Sequence, residues 1–218
     1  MVLLVAIALV LVAAAAAGAQ LAIPRIAQAR VRERLTAGGG EAEVAIRALP
    51  ATRLLRNEGQ RIVVRGRGLV IGLASAETGP GAPAASSPPG LAALDGFTDV
   101  DIELVDFRTG PFAVAAFVLA RSGPESYAMA TRAKTTAAEL AGFGLDRIGS
   151  PPGAGLIGAL AGPAIGGREI AVAVEIELIS EDGALRVGAG GGSIAGYPAG
   201  PLATTIAAAV ARRLEIVP

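Results

Sequence analysis

The stretch Arg168-Glu-Ile-Ala-Val-Ala-Val-Glu-Ile-Glu-Leu178 alternates without interruption. Ile170, Val172, Val174, Ile176 and Leu178 fall on one side, and Glu169, Glu175 and Glu177 on the other. Successive side chains of a strand point to opposite faces, so one side belongs to a core and the other to water. That pattern belongs to an antiparallel sheet covered on one face. Ser180-Glu181-Asp182-Gly183 predicts a turn, and Ala184 to Ala189 the returning strand, with Leu185 and Val187 inward.

Outward from this hairpin the same period recurs. Phe97 to Phe107 sets Val100, Ile102 and Leu104 against Asp99, Asp101 and Glu103. Phe112 to Arg121 is apolar on both faces, which predicts a strand covered on both sides. Ser122-Gly123-Pro124-Glu125 joins it to Tyr127–Lys134 as a hairpin. Glu41 to Ala48 reads as a strand, Ala51 to Arg56 as one or two helical turns, and Gln60 to Leu73 as a long strand. In that last strand Arg61, Val63, Arg65, Arg67 and Leu69 share one face, and Ile62, Val64 and Val70 the other. Gly188 to Gly192 and Pro198 to Pro201 read as a loose connection.

Helical spacing appears in three places. Ile23, Ala27, Val31 and Leu35 follow at i+4 steps in a helix over 24–37, which Pro24 would open if a helix restarts there. Thr135 or Thr136 caps a short helix, Ala137 to Ala141, ended by Gly142. Thr204 or Thr205 caps a final helix carrying Ile206, Val210 and Leu214, with Arg212 and Arg213 at its negative end. Two segments resist assignment. Residues 74–96 are rich in Gly, Pro, Ala and Ser and read as a long mobile loop. Residues 144–167 enclose an apolar flap, Ala154 to Ile165, too short to span a bilayer.

The chain opens with a different signal. No side chain from Met1 to Pro24 is charged, and Val2 to Ala17 is wholly apolar. About 20 such residues cross a hydrocarbon core, so residues 1–24 are expected to be a membrane anchor or a signal peptide cut after Ala17-Gly18-Ala19. Arginines follow the segment, where the positive-inside tendency would leave the body in the cytoplasm. Everything later suits an exported domain, and an upstream start with further basic residues reconciles the two. Residues 25–218 then form one α+β domain.

Composition removes whole classes of chemistry. The 218 residues contain no His and no Cys. Ser-His-Asp and Cys-His catalysis are excluded, as is the commonest metal ligand. Formal net charge is zero, so no global attraction to nucleic acid is expected. Nothing calls for a cofactor or a metal, and no residue stands out as catalytic. Asp99, Asp101 and Glu103 form the one dense acidic group. Alternate strand positions lie about 6.5 Å apart, wide for ligands of one ion. If their strand pairs with that of Arg61, Arg65 and Arg67, the charges form a cross-strand ladder.

The fold class expected is therefore an N-terminal membrane helix followed by a curved antiparallel sheet packed with a few short helices. With few aromatics to fill its interior, the aliphatic strand faces suit a groove for acyl chains. Phe117, Leu119, Ile170, Val172, Val174 and Ile176 are the candidate lipid contacts. A phospholipid or glycolipid and the membrane are the expected partners, in the cell envelope.

The order of segments resembles the actinobacterial LmeA-like envelope family, a domain of unknown function. The resemblance rests on the apolar leader and the helix Ile26 to Leu35. It rests also on Val44-Ala-Ile-Arg-Ala-Leu-Pro-Ala-Thr-Arg-Leu-Leu-Arg56 leading into Ile62-Val-Val-Arg-Gly-Arg-Gly-Leu69, and on Phe97-Thr-Asp-Val-Asp-Ile-Glu-Leu104. It implies a tubular-lipid-binding-like fold and an exported, membrane-associated protein. It also implies phospholipase activity on mannosylated phosphatidylinositol, linked to lipomannan elongation, and a further strand pair after the last helix. It assigns no catalytic residue. Three functions follow: a lipid-binding module, a lipid hydrolase built on the acidic trio, or a non-catalytic envelope scaffold.

Overall fold

The computed structural model describes residues 2–72, 91–136, 139, 169–181, 184–191, 193–194, 197–198, 200–214 and 216. The flap Ala154–Ile165 and most of the 74–96 segment lie outside these residues. So do nearly all of the helix expected at Ala137–Ala141 and the centre of the turn after Glu181.

The chain is mixed α+β, with an open, mostly antiparallel sheet and few helices. Helix α1 (Val2–Thr36) is continuous. It does not restart at Pro24 but runs through it. Pro24 removes the N–H that would bond the Gln20 carbonyl and crowds that carbonyl; on the same turn the Gln20 side chain ties the helix to the domain, its Oε1 accepting the Ala51 N–H at 2.8 Å. The expected i+4 stripe is in place, with Ala27, Val31 and Leu35 buried and Ile23 packed beside them. Among the described residues no helix is long and apolar enough to cross a membrane.

Strand β1 (Glu41–Arg47) returns along α1, and Gln28 Nε2 donates to the Ile46 carbonyl at 3.2 Å. A 3-10 helix (Ala51–Arg56) follows, then β2 (Gly59–Arg67) antiparallel to β1. The next neighbour of β2 is β4 (Phe97–Thr109), and the pairing is parallel, unlike the antiparallel arrangement expected. Parallel pairing with β4, shared by β2 and the short strand that continues it, fits the length of the segment between them. Parallel neighbours need a crossover of a dozen residues or more, which the sequence between Ile71 and Leu91 is long enough to supply. Its last part contains the short helix α2 (Ala92–Asp95), where only loop was expected.

From β4 the sheet is antiparallel through β5 (Phe112–Arg121), β6 (Ser126–Thr136), β7 (Glu169–Glu181) and β8 (Ala184–Gly191). A small pair, β9 (Ser193–Ile194) with β10 (Tyr197–Pro198), leads to the last helix, α3 (Gly200–Leu214). Helix α3 begins before the expected caps, which lie inside it. Ile206, Val210 and Leu214 are buried as their spacing predicts. At the end of β6, Thr136 and Glu139 exchange hydrogen bonds as a capping box. The Glu139 N–H donates to Thr136 Oγ1 at 3.1 Å, and the Thr136 N–H donates to the Glu139 carboxylate at 3.0 Å.

The long strand read over Gln60–Leu73 is broken. Gly68 has φ +65°, and β3 (Val70–Ile71) resumes the pairing with β4 at an unchanged register. Opposite Gly68 stands Asp106, itself at φ +51°, and beyond it β5 slips register between Val114 and Ala116. Each strand changes parity on this line. Burial passes from Ile62 and Val64 to Leu69 and Ile71, from Leu104 to Phe107, and from Val114 to Phe117. So Leu69 is buried and Val70 exposed, the reverse of the sequence expectation. An aligned row of bulges bends a sheet, and the alternation flips because each strand holds one extra residue.

Two further expectations change. Strand β5 is covered on one face only: Ala113, Ala115 and Val118 are exposed. Its apolar outer residues are chiefly alanines, which are too small to demand cover. In β8, Leu185 packs on the core but Val187 is exposed, and Gly188–Gly191 extend the strand rather than leaving it. The register slip between β7 and β8, at Gly188–Gly190, falls beyond Val187, which stays opposite Leu178 on the face of Leu185; its exposure is that of an edge strand.

The core fills the space between the inner face of the sheet and the helices. One end of the sheet, here the near end, gathers the 3-10 helix, α2, the starts of β2 and β4, the β5–β6 turn and the end of β7. Gly96 sits against Asn57 there, and a Cβ on it would lie 2.3 Å from the Asn57 carbonyl oxygen. Gly96→Ala is expected to cost about 1–3 kcal/mol through this backbone clash. Thermal unfolding followed by circular dichroism measures it, and an unchanged midpoint rules out the close approach.

Candidate functional site

Three groups of residues are candidates, and the fold treats them differently. The first is the charged outer face of β2 and β4. Parallel pairing sets Arg61 beside Asp99, Val63 beside Asp101 and Arg65 beside Glu103. Arg61 Nε meets Asp99 at 3.0 Å, while Arg65 meets Asp101 at 2.6 Å and Glu103 at 3.2 Å. The ladder expected from the two-residue spacing exists, and it engages every carboxylate of the acidic trio. An open cavity of about 420 Å³ lies beside it over Gly66, between Arg67, Glu41 and Glu43.

The Arg65 hydrogen bond holds the Asp101 carboxyl below its usual range, with burial opposing and the charges of Arg65 and Arg61 reinforcing. A lowered folded-state pKa contributes stability above the unfolded value, near 4. The contribution disappears as pH falls through the folded value. Both side chains are substantially exposed, so Asp101→Asn is expected to cost about 0.2–1 kcal/mol at neutral pH. The difference between variant and parent should shrink as pH falls through the folded value; a difference that does not change between neutral and strongly acidic pH in denaturant titrations removes the assignment.

The second group is the six lipid-contact candidates. They meet on the inner face through β6. Phe117 opposes Thr131, which opposes Val174; Leu119 opposes Met129, which opposes Ile176. Val172 opposes Ala133, and Ile170 opposes Thr135 at the far end. Five are buried and Ile170 is partly so. Phe117 also meets Phe107 edge to face, with ring centres 6.2 Å apart.

The third group was missed in the sequence. Asp95, the last residue of α2, accepts hydrogen bonds from Tyr127 Oη at 2.9 Å and Ser180 Oγ at 2.7 Å. Burial chiefly, and the Asp95 charge next, push the Tyr127 hydroxyl well above the usual phenol range, so it remains a donor. Arg121 completes the cluster. Its guanidinium donates to the carbonyls of Asp95 at 3.0 Å and Gly123 at 3.0 Å, and to those of Phe97 and Pro124. It also lies 5.3 Å from the centre of the Tyr127 ring. An arginine ending an otherwise apolar strand, close to one of only two tyrosines, was the available signal. Asp95 could not be connected to them by spacing, because the crossover separates it from its partners.

This cluster borders an open cavity of about 550 Å³ at the near end, lined by Asp95, Phe97, Thr98, Arg121, Ser122 and Pro124. Ser180 is buried and gives its proton to a carboxylate already shared with Tyr127, an arrangement that fixes α2 rather than activating a nucleophile. Arg121 likewise spends its donors on main-chain carbonyls. What the wall leaves toward solvent is Thr98, Ser122 and Pro124, with Phe97 buried behind them. Such a surface can hold a small polar group. No family model matches the chain, and neither does any curated protein or solved structure.

Proposed function

We propose that the protein is a cell-envelope lipid-binding or lipid-handling module, exported and held at the membrane by the apolar N-terminal part of α1. In this reading the sheet works in the tubular-lipid-binding manner of the LmeA-like family. The aliphatic face carrying Phe117, Leu119, Ile170, Val172, Val174 and Ile176, packed within the core in this structure, meets acyl chains when the core parts to admit them, and the polar cavity by Thr98 and Ser122 meets the headgroup. One observation carries the proposal. The cavity opens at the same end of the sheet at which α1 leaves the domain, and core residue Phe97 forms part of its wall. Its volume lies within the range of small-molecule sites.

A hydrolase based on the acidic trio has less support, because Asp99, Asp101 and Glu103 are neutralised by Arg61 and Arg65. Native mass spectrometry of protein extracted from membranes tests the proposal. Co-purified phospholipid or glycolipid is expected, and a consistently empty protein defeats it.

A further inference from the structure

Helix α1 is continuous from its uncharged part into the part that packs on the domain, with the first arginine at position 25. The domain takes hold of the helix before that arginine. Ala19 and Gln20 are half-buried, and Gln20 bonds the main chain at Ala51. No linker separates the two parts, so on the membrane-tether reading the end of the domain beside Gln20 lies at the bilayer interface.

That end is built for it. Leu21 is 64% exposed, Leu49 71% and Leu55 62%. Scattered exposed leucines are ordinary, but three around one helix exit are not. Residues three apart share a face of a 3-10 helix, so Thr52 and Leu55 form one outward stripe and Arg53 and Arg56 the next. Arg53 meets Glu58 at 3.2 Å, while Arg25 is exposed one helical turn beyond Leu21. Arg47 and Arg61 stand directly opposite each other on β1 and β2 close by. Along this edge Arg25, Arg47, Arg53, Arg56 and Arg61 stand against Glu58 and Asp99, which pair with Arg53 and Arg61, and apolar groups ringed by cations complement anionic headgroups over acyl chains.

We propose that Leu21, Leu49 and Leu55, with Arg25 and Arg56, form a rim that seats the domain on an anionic phospholipid bilayer. The rim rests on the membrane-tether reading above and adds to it a fixed orientation. The domain stands with its near end on the headgroups, and the cavity between Thr98 and Ser122 opens toward them. Extraction of a lipid then needs no detachment of the protein from its membrane.

The absence of cysteine lets single labels report single positions. The full chain carrying I7C, L49C, L55C or A37C, labelled with an environment-sensitive fluorophore, is reconstituted in phosphatidylcholine vesicles containing phosphatidylglycerol. Nitroxide lipids then quench by depth. Labels at 49 and 55 should be quenched by shallow nitroxides, the label at 7 by deep ones, and the label at 37, at the far end, by neither. Adding R25E and R56E should lower quenching at position 55 about twofold without changing position 7. Quenching at 7 with 49 and 55 as dark to nitroxide as 37 overturns the rim and leaves the tether standing. Absence of quenching at 7 overturns both. A charge-reversed chain that seats unchanged overturns the role of anionic lipid.

Discussion

Replacing Arg121 by methionine is expected to lower stability by roughly 2–4 kcal/mol, the cost of leaving two partly buried main-chain carbonyls without their donor. Methionine keeps much of the apolar stem, so the loss isolates the guanidinium. That group satisfies carbonyls from α2, the start of β4 and the β5–β6 turn at once, and it lies against the Tyr127 ring. Without it the carbonyls of Asp95 and Phe97 lose their donor in a partly buried setting, where each unpaired group costs about 1–3 kcal/mol. For a chain of this size the midpoint should fall by roughly 10 °C. Hydrogen exchange locates the damage: amides of α2 and the near ends of β4–β6 should lose protection first. A midpoint within a degree or two of the parent sinks the account of Arg121 as the fastening of α2.

Phe117→Ala is the second large effect. Phe117 is wholly buried at the centre of the sheet and meets Phe107 edge to face. A large-to-small change at such a site costs about 3–5 kcal/mol, including the cavity left behind, and the aromatic pair accounts for about 0.5–1.5 kcal/mol of it. Urea titration of parent and variant measures the difference. A loss below about 1 kcal/mol shows that the inner face collapses around the gap more freely than a packed core does. The same variant bears on lipid handling, since Phe117 is also a candidate acyl contact. Phe107→Leu provides the comparison, as it loosens the same pair from the neighbouring strand.

The strands were legible because their patterning is local. Alternation in Phe97–Phe107 and in Arg168–Leu178 identified β4 and β7 and their buried faces, and the two-residue spacing of Arg61, Arg65, Asp99, Asp101 and Glu103 anticipated their ladder. The stripe Ile23, Ala27, Val31 and Leu35 identified the docked face of α1. Where periodicity misled, a bulge, a small residue or an edge position was responsible. A single positive-φ residue, such as Gly68 or Asp106, reverses parity without changing composition. Alanine on the outside of β5 looks the same in sequence as alanine in a core.

The sequence by itself therefore determined the faces of the main strands and the buried stripes of the first and last helices, which depend on spacings of two to four residues along the chain, and it supplied the charges of the ladder. Only the tertiary structure decided that β2 and β4 run parallel, that the bulges line up, and that Asp95, Arg121, Tyr127 and Ser180 form one cluster. Those features join residues separated by up to 85 positions, as in the Ser180–Asp95 hydrogen bond. Such pairings are selected by packing and by the need to satisfy buried polar groups, and neither requirement leaves a periodic mark on the chain.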